Sequence, residues 1–288
     1  MLGEGIGGDL PMSALAPTTT LANGIEMPAF GLGTWPMNDG EAKRSVTAAI
    51  EAGYRLFDTA ENYRNERGVG EGIEASGIDR AEIFVTTKFN GRWHGFEEVR
   101  QAFTNSADRL GLDYIDLLLI HWPLPAQDRY VDAWRGMIRL LEQGKVKAIG
   151  VSNFKPSHID RLIKATGVAP HVNQVQLNPW IPRRAERDFH SLHAIVTESW
   201  SPLAKGSELL GESVILETAR EHARTPAQVV LRWHLQQGLI PIPKTSNAKR
   251  LAENIEVFDF VLTDEEMAAI SSLDRGGRGA VDSDRIGH

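Results

Sequence analysis

Four polar residues stand where short apolar runs end. Asp58 closes Leu56-Phe57, Lys88 follows Thr86-Thr87, and His121 follows Leu118-Leu119-Ile120, while Tyr63 lies in the loop behind Asp58. Taken singly, each has an ordinary explanation: a capping Asp, a solvated Lys, a core His, an exposed Tyr. At matching strand ends they make a proton-handling set. A lysine beside a phenol favours the phenolate; two unit charges about 4 Å apart interact by about 4 kcal/mol at an effective dielectric of 20, near a thousandfold in ionisation. Burial pushes the phenol the other way, so the expected lowering is smaller than that. Tyr63 would donate a proton, Asp58 would keep Lys88 charged and fixed, and His121 would orient a substrate oxygen. This set cannot hold a metal in the usual way, and the chain has no cysteine to act as a nucleophile, so electrons must come from elsewhere. A hydride cofactor fits.

These residues converge only if parallel strands bring their C-terminal ends together. Apolar runs rich in Val, Ile and Leu alternate with stretches of helical period, the pattern of parallel strands covered by helices. The predicted strands are residues 29–32, 55–58, 83–87, 114–120, 148–151, 172–176, 194–200 and 239–243. Helical patterns cover 41–51, 96–110, 130–143, 156–165 and 226–237, and two of them open with a proline, whose missing N–H costs nothing there. This order predicts the α/β class and a closed (β/α)8 TIM barrel, because closure removes both sheet edges. Residues 18–21 and 25–27 flank Asn23-Gly24, a hairpin signal, and would plug the N-terminal mouth. Residues 248–256 and 263–272 read as extra C-terminal helices before a Gly/Arg/Asp-rich tail, either mobile or ordered over a ligand. Residues 1–17 read as a disordered leader, leaving 18–288 as a single barrel domain.

Composition narrows the function. A hydrophobic content of 42% over 288 residues supplies one large core, and a net charge of -7 argues against general attraction to nucleic acid or an anionic membrane. No signal-like apolar run and no span of about 20 apolar residues occurs, and disulfides are excluded, so a cytoplasmic protein acting on a small molecule is expected. Composition does not bear on oligomeric state, and a monomer is the expectation. Gly68-Val69-Gly70-Glu71-Gly72 resembles part of a dinucleotide fingerprint but does not join a strand to a helix; it reads as the start of the second helix. His190 and His193 lack an acidic third ligand and read as packing.

From about Gly31 to Leu273 the chain resembles an aldo-keto reductase. The segments that carry the likeness are Asp58-Thr59-Ala60-Glu61-Asn62-Tyr63, Thr86-Thr87-Lys88, Ile120-His121-Trp122-Pro123, Gly150-Val151-Ser152-Asn153-Phe154, Asn173-Gln174-Val175-Gln176 and Ile242-Pro243-Lys244. Within the family it is most similar to bacterial reductases resembling 2,5-diketo-D-gluconate reductase. The resemblance implies NADPH-dependent reduction of aldehydes, ketones or dicarbonyls, with the family's catalytic tetrad on Asp58, Tyr63, Lys88 and His121. It places the nicotinamide carboxamide against Ser152, Asn153 and Gln174, the ring on Trp200, and Ser201, Pro202 and Leu203 under the pyrophosphate. The positions of Ile242, Glu253 and Asn254 would hold the adenine end.

Lys244, Thr245, Ser246 and Arg250 open the helix after the eighth strand, where free N–H groups and the helix dipole attract phosphate. Two cations there favour NADPH/NADP+ over the unphosphorylated cofactor. Trp35, Trp93 and Trp122 are expected to wall an apolar substrate pocket. Gln176, Asn178 and the loop after Lys88 depart from the commonest family pattern. Two rival readings are a slow NADPH-binding regulatory module and, on fold alone, a phosphate-binding barrel isomerase or lyase.

Overall fold

The computed structural model describes residues 15–206 and 208–288. The expected leader falls mostly on residues 1–14, outside the described residues. Pro17 already belongs to the fold, its carbonyl accepting the Ala29 N–H at 2.8 Å.

Strand β1 (Thr18–Thr20) pairs antiparallel with β2 (Glu26–Pro28), Thr19 opposite Met27. Asn23-Gly24 lies in the turn, and the Leu21 N–H donates to Ile25 O at 2.8 Å. Leu21 and Met27 are buried with Leu56, Phe84, Leu117, Ala148, Val172 and Ile240, so the hairpin seals one end of the barrel.

Eight parallel strands follow, hydrogen-bonded in chain order: β3 (Gly31–Gly33), β4 (Leu56–Asp58), β5 (Phe84–Phe89), β6 (Ile115–Ile120), β7 (Val146–Ser152), β8 (Val172–Gln176), β9 (Val196–Trp200) and β10 (Ile240–Pro241). Pro241 and Pro243 remove two ladder donors, which keeps β10 short. The barrel closes where the Gly33 N–H donates to Pro243 O at 3.2 Å. A Cβ at Gly33 would stand 2.9 Å from Ile242 O, so this seam requires glycine.

Helices α1 (Asp39–Glu51), α2 (Glu66–Ser76), α3 (Glu98–Leu110), α4 (Tyr130–Glu142), α5 (Pro156–Thr166), α6 (Arg184–Leu192), α7 (Ser213–Glu221) and α8 (Pro226–Gln236) cover the strands, and α9 (Ala248–Ile255) and α10 (Asp264–Ser271) follow. Asn38, Thr225 and Thr263 start α1, α8 and α10 with reciprocal capping boxes to Glu41, Gln228 and Glu266. The glycine run lies inside α2. A Cβ at Gly70 would stand 1.9 Å from Leu110 O on α3, and one at Gly68 2.1 Å from Asp39 O on α1, so the run lets α2 pack closely against both α1 and α3. Among the described residues, no helix is long and apolar enough to cross a membrane.

Side chains alternate across a strand, so the residues two places beyond the plug layer also face inward. They are Asp58, Thr86, Leu119, Gly150, Gln174, Glu198 and Ile242. Lys88, His121, Ser152 and Trp200 stand above them at the open mouth.

Candidate active site

Asp58 ends β4, Lys88 lies one residue before the end of β5, and His121 follows β6, so parallel pairing carries all three to one mouth. Tyr63 arrives from a single 3-10 turn, Glu61–Tyr63. Lys88 Nζ lies 2.7 Å from both Asp58 carboxylate oxygens, 2.9 Å from Thr59 O and 3.2 Å from Tyr63 Oη. An ammonium group only donates. Tyr63 Oη therefore accepts from Lys88, and the phenol's own proton is left free for a ligand. The Tyr63 and His121 rings meet edge to face, their centroids 5.9 Å apart.

Burial pulls Lys88 towards its neutral form, but the Asp58 carboxylate, joined by Tyr63 and Glu198 once they ionise, outweighs it and holds the ammonium above its ordinary value. Tyr63 departs from the sequence expectation. Burial outweighs the pull of Lys88, and Asp58 and Glu198 add to burial, so the phenol ionises above its ordinary value. It is a firmly protonated donor at neutral pH. Burial first, then the charges of Lys88 and His288, keeps His121 well below its usual range. A neutral imidazole can orient a carbonyl oxygen without competing as the acid.

Glu198 was not anticipated from the sequence, nor were Asn62, Lys205 and His288 on the cavity wall. Glu198 is fully buried, and Gln174 Nε2 donates to Glu198 Oε2 at 2.6 Å and to Asp58 Oδ2 at 2.8 Å. Burial, then the charge of Asp58, pushes Glu198 up to about 8. Burial also raises Asp58 against Lys88 and Gln174. With an ammonium on both its oxygens, Asp58 is the anion of the group, and Glu198 carries the proton.

A cavity of about 1100 Å³ opens above this layer. Of the sequence-predicted residues, Asp58, Tyr63, His121, Ser152, Asn153, Gln174, Trp200, Ser201, Pro202, Leu203, Ile242, Lys244, Thr245, Arg250, Glu253 and Asn254 line it, as do Trp35 and Trp122. Lys88 stands behind Tyr63, and Ser246 is off the wall. Trp93 is not brought to the cavity either. Its indole N–H is shared between the two Glu61 oxygens at 3.0 Å, and the Arg92 guanidinium covers its ring at 4.7 Å.

One corner is tightly cross-braced. Ser152 Oγ donates to Gln174 O at 3.0 Å, Asn153 Nδ2 to His121 O at 3.1 Å, and Trp200 Nε1 to Asn153 Oδ1 at 2.9 Å. The ends of β6 through β9 are thus tied together and the Trp200 ring is held. The tail lies across the mouth. Lys155 pairs with Asp282 and Asp284 at 2.6 and 2.5 Å, and His288 places its ring 4.9 Å from that of His121. Gln176 accepts the Val281 N–H at 2.8 Å, so this departure anchors the tail. Asn178 accepts the Trp180 N–H at 3.1 Å and donates to Ser201 O at 3.3 Å.

A profile of the aldo/keto reductase family matches residues 27–275. The chain belongs to the aldo/keto reductase family. It is 51% identical over 260 residues to 2,5-diketo-D-gluconic acid reductase B of Corynebacterium sp., covering 90% of this chain and 94% of that one. It is 45% identical over 268 residues to methylglyoxal reductase DkgA of Escherichia coli K12, covering 93% and 97%. Among solved structures, a mutant of Gox0644 in complex with NADPH superposes with a TM-score of 0.91 at 46% identity, over 96% of this chain and all of that one. The Bombyx mori aldo-keto reductase in complex with NADP gives 0.84 at 34% identity, over 91% and 94%.

The aldo/keto reductase is thus an oxidoreductase of an NADP(H)-using family, and its cavity can be tested for fit to that cofactor. A dinucleotide phosphate needs spare positive charge at one end and a polar, aromatic pocket at the other. Lys244 and Arg250 line the cavity, and neither forms an ion pair with a described residue. Asn247 caps α9 beside them by accepting the Arg250 N–H at 3.1 Å. At the other end, the braced Ser152, Asn153, Gln174 and Trp200 supply amides, a hydroxyl and a flat ring. The residues fit the group.

Proposed function

We propose that this reductase converts small aldehydes, ketones and dicarbonyls to alcohols, with Tyr63 as the general acid. The observation that carries the reading is Lys88 Nζ held between Asp58 at 2.7 Å and Tyr63 Oη at 3.2 Å, with Tyr63 on the wall of the cavity. NADPH, when bound, supplies the hydride. Ser152, Asn153 and Gln174 would hold its carboxamide, Trp200 its ring face, Ser201, Pro202 and Leu203 the pyrophosphate, and Ile242, Glu253 and Asn254 the adenine end. Lys244, Thr245 and Arg250 would hold the 2′-phosphate. Lys88 occupies the phenol oxygen from behind, so the Tyr63 proton goes forward to the carbonyl oxygen as that oxygen gains charge. Neutral His121 orients the same oxygen, and Asp58 keeps Lys88 charged.

The substrate end is built from Trp35, Trp122 and His288. Trp122 Nε1 is buried and has no partner among the described residues, which leaves an N–H for a second substrate oxygen. That spare donor, with the names of the Corynebacterium and Escherichia coli relatives, favours dicarbonyls. Steady-state kinetics with NADPH and NADH test the cofactor half of the reading. The wild type should reduce a dicarbonyl and favour NADPH. Arg250→Ala removes charge-assisted bonds worth about 1.5–3 kcal/mol, so the preference should fall by roughly 10- to 100-fold. An unchanged NADPH/NADH ratio would put the 2′-phosphate elsewhere.

A further inference from the structure

We propose that Glu198 is a positioning residue for the reduction: as the neutral acid it shares the Gln174 amide with Asp58, and its ionisation turns the Asp58, Lys88 and Tyr63 set against proton donation. The inference rests on the reductase reading above.

Strand register sets Glu198 on β9 beside Gln174 on β8. The Gln174 amide has two protons, one for Asp58 Oδ2 and one for Glu198 Oε2, at 2.8 and 2.6 Å. Glu198 Oε1 is buried without a partner among the described residues. Two carboxyl groups therefore meet across one amide, with Lys88 as the cation facing them. Asp58 on β4, Lys88 on β5 and Tyr63 behind β4 are the charged or titratable groups that face Glu198. The inward residues at this level on β3, β6 and β7, Gly33, Leu119 and Gly150, are apolar, as is Ile242 just beyond β10. One cation can balance one carboxylate. Lys88 lies on Asp58, so the second carboxyl keeps its proton.

The consequence for catalysis has a definite sign. Glu198 is pushed up to about 8, first by burial, whereas Tyr63 ionises above its own ordinary value, so Glu198 releases its proton first as pH rises. The new negative charge raises the phenol further and makes it a poorer acid. Reduction should weaken as pH passes about 8, before Tyr63 itself titrates.

Glu198→Gln keeps the acceptor for Gln174 but cannot ionise. In the wild type, kcat/KM for a dicarbonyl should fall about tenfold or more between pH 7 and pH 9.5, while E198Q should change by less than about threefold. Superimposable pH profiles overturn the proposal. Thermal melts without substrate supply an independent arm. Between about pH 4.5 and pH 8 the unfolded chain releases a proton that the folded chain retains, so wild-type stability falls with rising pH and the E198Q advantage in Tm widens. A gap that stays flat from pH 5 to pH 8 also overturns it. Should E198Q fail to fold, wild-type infrared spectra at rising pH should show a buried carboxylic-acid band that fades past about pH 8; its absence at pH 6 counts against the proposal. A wild type that melts as expected but reduces no carbonyl overturns the reductase reading instead.

Discussion

Tyr63→Phe should lower kcat by about 10²- to 10⁴-fold, the usual contribution of a positioned general acid, while NADPH affinity stays within about twofold. The substitution removes one oxygen and keeps the ring that meets His121 edge to face. Lys88 loses its 3.2 Å contact but retains Asp58 and Thr59 O, so the buried ammonium stays satisfied and the fold should survive. Because the missing proton matters most as charge develops on the carbonyl oxygen, the loss should appear in kcat and kcat/KM alike. A variant with near-normal kcat would remove Tyr63 from the mechanism.

The second large effect concerns Lys88 and Asp58 as a unit. Lys88→Met takes the cation from behind the phenol and leaves a buried carboxylate unpaired, a loss of the kind that costs about 3–5 kcal/mol in stability. Activity should fall about as far as in Tyr63→Phe. Asp58→Asn leaves Lys88 in place but withdraws the charge that opposes its desolvation, so the lysine tends towards neutrality and activity falls less steeply. In the double variant the unpaired carboxylate is gone. It should regain stability over Lys88→Met alone, and its kcat should match that single variant, well short of the product of the two losses. Losses that multiply, with NADPH affinity intact throughout, would show that Asp58 and Lys88 act independently.

Much of this site is legible in the sequence because a parallel barrel converts strand ends into neighbours. Asp58, Lys88 and His121 are recognisable as polar residues that close apolar runs, and Tyr63 follows within one turn. Asn23-Gly24 likewise marks a hairpin by local chemistry alone. Glu198 was less visible, since Thr197-Glu198-Ser199 is an unbroken polar run in which no alternation marks the inward residue. The signal was present: Glu198 is two residues before Trp200 and must share its inward face. Trp93 failed for the opposite reason. An aromatic residue in an irregular loop carries no face, and a hydrogen bond from its indole to Glu61 decides where it turns. The direction of the Tyr63 shift was also out of reach, because how far burial exceeds the pull of Lys88 depends on three-dimensional packing. The tail's place over the mouth depends on distant partners, Lys155 and Gln176, that no local pattern links to it.

Whether Tyr63, Lys88 and Asp58 work as a carbonyl-reducing set is decided by the reaction itself. Purified protein, NADPH and a small dicarbonyl or reactive aldehyde are mixed, and loss of NADPH absorbance is compared with the alcohol formed. Continuous turnover is expected, with one alcohol produced for each NADPH consumed. Tight NADPH binding with no alcohol formed from any dicarbonyl, aldehyde or ketone would contradict it, and would leave the barrel as a cofactor-binding module.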